Sequence, residues 1–332
     1  MNLNKKTPNV IVYSDYPNSS CSFWRSHGVL SYLSRDGHIN FIEGTWNDTW
    51  TTLQFADIAF FQRPMMATCF DQIAMAKDCG LKIIIDLDDY NYIPETHPVY
   101  PEYAEGYGET EFIKIMMLAD LVITTNEYLK KHYSKYNKNV KIVSNSLNDH
   151  MFKISPFNEK SKKAVIRAGD HHEHDIYHYK DEIINFFNKN EDWELCVIGS
   201  NPVFLSEEIE NYTYIGDLDI RSYFACIKQI KPSLFIVPLI DNKFNRGKSN
   251  ISWIEATYAG AVTLAPVWLN VHKGCFFGYN NKVDFSNNLG LINNTQSKII
   301  KEVHSNSVNE VIDKYLLSKN NDYRLDLIKS VL

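Results

Sequence analysis

The chain has 332 residues, a length that suggests about two domains. It is 44% hydrophobic, 13% aromatic and 22% charged, enough apolar material for real cores, and its net charge of −6 excludes gross electrostatic affinity for nucleic acid or membrane, though not a local basic cleft. The six cysteines (Cys21, Cys69, Cys79, Cys196, Cys226, Cys275) have no paired spacing, which argues for reduced thiols over a disulfide framework or zinc ribbon. The opening residues MNLNKKTPNVIVYSDY lack the apolar stretch of a signal peptide. No run approaches the roughly 18 apolar residues of a membrane span. A soluble, cytoplasmic protein is expected.

Taken in chain order, short β-branched runs end in polar segments and pass into helical patterns. Asn9–Tyr13, Ile58–Phe61, Lys82–Asp86, Leu121–Thr125 and Val140–Val143 read as strands, with helices expected at Phe23–Ser34, Phe70–Cys79 and Glu109–Leu118. The polar stretch Asn145–Lys163 reads as a linker. The rhythm then restarts with strands at Ala164–Arg167, Glu194–Ile198, Thr213–Ile215, Leu234–Pro238 and Ala261–Ala265, and a helix at Asp181–Asn188. Alternation of this kind predicts an α/β protein of two tandem Rossmann-like, doubly wound domains facing a cleft. The expected limits are 1–150 and 151–305, with C-terminal helices over 306–332 packing back toward the first domain.

The segment FIVPLIDNKFNRGKSNISWIEATYAGAVTLAP carries most of the chemistry. A buried strand runs into a polar loop, and a helix is expected from about Ser249. Lys248, Ser249 and Asn250 sit at its start, where free N–H groups and the positive helix end attract anions. Lys248 and Arg246 add charge for a diphosphate, and Glu255 could accept hydrogen bonds from ribose or sugar hydroxyls. Spacing alone leaves open that Ser249 only caps the helix and that Glu255 is a solvated helix residue.

The run F-N-R-x-K-S-N-I-x-W-x-E, followed by A-G-A-V-T-L-A, resembles the donor segment of glycosyltransferase-B (GT-B) fold enzymes of the family 4-like, group 1 type. The resemblance implies a retaining, metal-independent transferase that needs no cofactor and uses a nucleotide-sugar donor, a UDP-sugar first. Its donor contacts would be Lys248, Ser249, Asn250 and Glu255. Many members carry two glutamates eight positions apart, and Gly247 stands at the earlier position here.

AVIRAGDHHEHDIYHYKDEI opens the second half. Gly169 in the turn would let backbone approach a phosphate, and Arg167 offers a planar charged fork. A similar pattern in the family implies donor contact by Arg167, Gly169, His174 and Asp175, with His174 where many relatives use lysine. Gly199, ending the next strand, joins the donor-side candidates. His171, His172, His174 and His178 form a cluster that a metal could use, but no Glu stands between the pair spaced i, i+4, and the expectation is no metal.

In the first half, NSSCSFWR places Arg25 after the first strand, and FQRP places Arg63 after the second. KIIIDLDDYNYIPETHP closes a buried strand with Asp86, Asp88 and Asp89, and His97 follows. Arg25, Arg63, Asp86 and His97 are the acceptor-side candidates. Asp88 and Asp89 are the candidate bases, with Glu255 as the third catalytic candidate. Capping of backbone N–H groups is the bland alternative for the aspartates. Four of the seven arginines (Arg25, Arg63, Arg167, Arg246) fall in strand-end or donor-loop segments, which favours an anionic ligand.

Few arginines beside abundant Asn, Lys, Ile and Tyr suggest an AT-rich genome, and the motif set looks similar to bacteriophage enzymes. That resemblance implies a hydroxymethylated pyrimidine in double-stranded phage DNA as acceptor, with a surface glycan as the alternative. Lys-rich stretches such as Lys130–Lys141 could touch a DNA backbone, with a solvated helix face as the commoner role of such a charge run. A sugar-nucleotide epimerase and a non-catalytic nucleotide-sugar binder are the rival readings. Oligomeric state is not legible.

Overall fold

A computed structural model describes residues 7–14, 16–64, 68–95, 97, 100–101, 109–169, 172–269, 271–294 and 297–332. The chain forms two compact units. The first comprises Met1–Asn145 with Leu317–Leu332, and the second Ser146–Leu316.

The sheet of the first unit contains β1 (Asn9–Tyr13), β2 (Asn40–Glu43), β3 (Ile58–Gln62), β4 (Lys82–Leu87), β5 (Leu121–Thr124) and β6 (Val140–Ile142), in the order β2-β1-β3-β4-β5-β6. Every pairing is parallel. A parallel sheet buries both faces, and the strand residues divide accordingly. Ile11, Tyr13, Ala59, Phe61, Ile83 and Ile85 enter one core cluster. Their neighbours Val10, Val12, Ile58, Phe60 and Ile84 enter another, shared with Leu317, Leu325, Leu327 and Ile328 of the final helix Leu317–Ser330. Asn321 of that helix donates to the Val29 carbonyl at 3.0 Å.

The second unit repeats the plan with β7 (Lys163–Ala168), β8 (Glu194–Gly199), β9 (Tyr212–Ile215), β10 (Leu234–Ile236), β11 (Val262–Pro266) and β12 (Phe277–Tyr279), ordered β12-β11-β10-β7-β8-β9. These pairings are also parallel. Each unit is thus a parallel six-stranded α/β sheet, as the alternation of strands and helices predicts. Residue 305, expected to end the second domain, lies inside the helix Ser297–Lys314, which belongs whole to the second unit.

All ten expected strands form. The two unanticipated ones, β2 and β12, are edge strands of four and three residues. β2 has no fully buried side chain, so its sequence carries no strong apolar run. The expected helix Phe23–Ser34 is broken into Ser20–Arg25 and His27–Arg35 at Ser26, whose φ −126° and ψ −89° are not helical. No helix among the described residues is long and apolar enough to cross a membrane.

In each sheet the chain changes winding direction once, between β1 and β3 and between β10 and β7. In open parallel α/β sheets such a switch point is where loops leaving adjacent strands diverge at the carboxyl edge and ligands bind. Gly260 closes the helix Ile251–Ala259 with φ +82°, and a Cβ on it would lie 2.2 Å from the Pro156 carbonyl oxygen. Gly260→Ala should therefore destabilise the protein by about 1–3 kcal/mol in chemical denaturation, from left-handed backbone and backbone collision together.

Candidate functional site

At the switch point of the second sheet, β7 delivers Arg167 near its end, and the long loop 237–250 leaves the adjacent β10. The loop is tied down by two side chains from outside it. Tyr279 at the end of β12 receives the Leu239 N–H and donates to the Val237 carbonyl, each at 2.8 Å. Asp175, only 5% exposed, accepts from the Ile240 N–H at 3.1 Å and from Asn245 Nδ2 at 2.7 Å, and its other oxygen pairs with His172 Nδ1 at 2.9 Å. Its carboxylate is spent on shaping the loop. The sequence reading set Asp175 against the donor; in the structure its carboxylate bonds the loop and His172.

The loop includes a short helical turn, Lys243–Arg246, and the following helix begins at Ile251 with Asn250 as its N-cap, two residues later than expected. Lys248 and Ser249 are half-buried at this junction, and the Lys248 ammonium lies 4.2 Å from the Phe244 ring centroid. Arg246 points elsewhere. It is exposed and holds Asp241 in a two-pronged pair at 2.5 and 2.8 Å, so its charge is already matched there. Gly199 ends β8 with φ +107°, and a Cβ there would come within 2.1 Å of the Ala168 oxygen at the end of β7. It is required by that close approach. Gly169 continues from β7 with its carbonyl bonded to the His172 N–H at 2.8 Å, and His174 is exposed on the helix Glu173–His178. His171 lies outside the described residues. Among those described, no three His, Cys, Asp or Glu groups converge to hold a metal ion.

Glu255 has a different place from the one expected. Its side chain is 0% exposed, and it accepts from Arg167 Nη1 at 3.0 Å and from the Tyr223 hydroxyl at 2.8 Å. The Arg167 guanidinium also lies over the Tyr223 ring, 5.3 Å from its centroid, and Arg167 remains 34% exposed. Burial pushes the Glu255 carboxyl up from its ordinary 4.5, against the pull of Arg167 and Tyr223. A carboxylate so enclosed cannot touch ribose or sugar in this conformation; it touches the arginine that could. Tyr223, on the helix Ile220–Ile230, was missed because a tyrosine on an amphipathic helix reads as core.

In the first unit the aspartates divide by burial. Arg25 and Asp86 are both fully buried, joined by two 2.8 Å bonds, with Arg25 Nη1 also donating to the Val143 carbonyl at 2.7 Å and Asn145 at 3.1 Å. The sequence reading set both on the acceptor side; in the structure they form a fully buried ion pair. Arg63 takes a left-handed backbone, φ 48°, directly after β3, and its N–H bonds the Asp86 carbonyl at 2.8 Å. Its guanidinium reaches Asp88 at 2.9 Å and Asp89 at 2.6 Å. A non-glycine residue in that region costs on the order of 1 kcal/mol or more, sustained here by the two carboxylates. His97 is partly exposed in the loop beyond β4, its N–H bonded to the Pro94 carbonyl at 2.9 Å. Arg324, which the sequence did not single out, is fully buried in the same unit, its Nε and Nη2 without hydrogen-bond partners. Burial and the neighbouring Arg25 charge press its pKa down to about 9.

No known family profile matches the chain, and no curated protein does. Solved structures do. A glycosyltransferase from Rickettsia africae ESF-5 is similar with a TM-score of 0.69 at 12% identity, over 98% of this chain and 99% of that one. HepE of Anabaena in complex with UDP aligns with a TM-score of 0.60 at 12% identity, over 98% and 100% of the two chains. A trehalose-6-phosphate protein of E. coli bound with UDP-2-fluoro glucose gives 0.66 at 8% identity, over 97% and 98%. What these likenesses share with the chain is the fold.

Removing one partner of a buried ion pair strands the other. Arg25→Leu should cost about 3–5 kcal/mol in urea unfolding. The raised Glu255 pKa sets a second expectation. From its ordinary 4.5 up to the raised value, the native state binds more protons than the unfolded, so this group's contribution to stability falls as pH rises through that window. Unfolding free energies measured across pH should show the fall in the native protein and lose that component in Glu255→Gln.

Proposed function

We propose that the chain is a glycosyltransferase that takes a sugar from a nucleotide-diphosphate donor, a UDP-sugar first, and transfers it to an acceptor hydroxyl. The observation that carries this reading is the Arg167 guanidinium at the β7–β10 switch point, held by Glu255 of the helix Ile251–Ala259, which Lys248 and Ser249 immediately precede in the chain. Planar and point cations with backbone N–H groups suit a diphosphate whose negative charge grows as the glycosidic bond breaks. The GT-B-like fold is shared with the Anabaena and E. coli structures that hold UDP or a UDP-sugar analogue, which supports the choice of nucleotide.

In this reading Arg167, Lys248 and the N-terminus of the helix Ile251–Ala259 stabilise the leaving diphosphate, with Gly169 and Gly199 keeping that strand edge open to the phosphates. His174, exposed on the helix Glu173–His178, is assigned to the donor side as well. The reaction is proposed to be metal-independent and retaining, with the diphosphate itself neutralised by side chains. On the acceptor side we assign Arg63, Asp88 and Asp89. Asp89, the more exposed of the two carboxylates at 16% against 9%, is the one to receive the hydroxyl proton.

The test is a mass-spectrometric screen of nucleotide sugars, with hydroxymethylated DNA and oligosaccharides offered as acceptors side by side. UDP release is the expected signal. Arg167→Ala should lower turnover about a hundredfold, the scale of losing one preorganised charge donor, and Lys248→Ala at least about tenfold. A folded protein that binds UDP yet consumes no donor with any acceptor would mark a non-catalytic binder and overturn the proposal.

A further inference from the structure

The glutamate that the donor motif would set against ribose or sugar is sealed beneath an arginine, with a tyrosine closing its other side. Glu255 offers two oxygens and uses each once: Oε1 for Arg167 Nη1, Oε2 for the Tyr223 hydroxyl. The three side chains come from different elements: β7, the helix Ile220–Ile230 and the helix Ile251–Ala259. Tyr223 is 5% exposed and contributes twice, through its hydroxyl to the carboxylate and through its ring beneath the guanidinium. A long arginine side chain at a strand end otherwise samples many rotamers. Here one edge is fixed by a charge-assisted bond and one face by an aromatic ring, while a third of the side chain stays exposed at the carboxyl edge of the sheet.

We infer that Tyr223 and Glu255 are positioning residues that hold the Arg167 guanidinium in place for an anionic group of the ligand, Glu255 doing so without touching the ligand itself. This rests on the proposed diphosphate role of Arg167. It also gives the departure at Gly247 a consequence. With glycine at the earlier motif position and Glu255 buried, neither of the two motif positions presents a carboxylate to the sugar. Recognition at this platform is then directed at the diphosphate.

The experiment uses the full chain and two conservative variants, Tyr223→Phe and Glu255→Gln. Tyr223→Phe keeps the ring and removes one hydroxyl. Seven arginines make the guanidinium 15N spectrum tractable, and the Arg167 signals are assigned by their loss in Arg167→Lys. In the native protein without ligand, Arg167 should show the slowed guanidinium rotation of a fixed salt bridge. Rotation should quicken in Tyr223→Phe and more so in Glu255→Gln. Titration with UDP should show affinity falling about tenfold in Tyr223→Phe, the scale of one hydrogen bond to a charged group, in a variant whose circular dichroism is native.

Arg167 signals unchanged in both variants would overturn the positioning role, whatever the affinity does. Quickened Arg167 rotation in a protein that binds neither UDP nor pyrophosphate would uphold the positioning and instead refute the diphosphate reading on which its purpose rests.

Discussion

A parallel sheet sends every strand end to the same edge, and in this chain both six-stranded sheets are wholly parallel. The constraint that follows is electrostatic. Loops, helix starts and polar side chains crowd one rim while the strands beneath are buried on both faces. A carboxylate placed at such a rim either reaches water or must be given a cation and hydrogen bonds. Asp86 meets that demand through Arg25, Asp88 through Arg63 and Glu255 through Arg167. The rest of each rim is arranged around these pairs.

The pairs differ in what they leave over. Arg25 and Asp86 are sealed, and nearby the second buried arginine, Arg324, has two unsatisfied nitrogens, so this part of the first unit carries more positive charge than its carboxylate balances. Arg63 is bent into a left-handed backbone to serve two aspartates and keeps 31% of its side chain exposed. Arg167 keeps 34% exposed above a glutamate that keeps none. Exposure therefore separates arginines that hold the fold together from those that can also meet a ligand. The two sealed arginines sit on helices, Ser20–Arg25 and Leu317–Ser330, and the two part-exposed ones at the ends of β3 and β7.

Legibility followed the same physics. Strands buried on both faces are near-continuous apolar runs, so NVIVY, KIIID and ELCVI could be placed by inspection. β2 and β12, at sheet edges, have no such run and were passed over. The helix break at Ser26 was invisible because FWRSHGVLSYLS keeps a helical pattern across it. Only the packing of Gly28 against the Phe23 carbonyl, where a Cβ would lie 2.2 Å away, shows how tightly the two segments turn. The concentration of arginines at strand ends was legible and read as one anionic site. What the sequence does not show is that each also has an acid partner: Arg25 and Arg63 in the first unit, Arg167 and Arg246 in the second.

The sequence by itself determined the two α/β units, the strands that form their cores and the segments that reach their carboxyl edges. Those properties rest on local periodicity, which a linear reading can count. Tertiary structure alone decided which charges at those edges face solvent. Arg167, Tyr223 and Glu255 are 32 to 88 residues apart in pairs, and nothing local links them. Whether Glu255 meets a sugar or an arginine depends on how three elements close over it, because burial is a property of the surroundings and not of the residue.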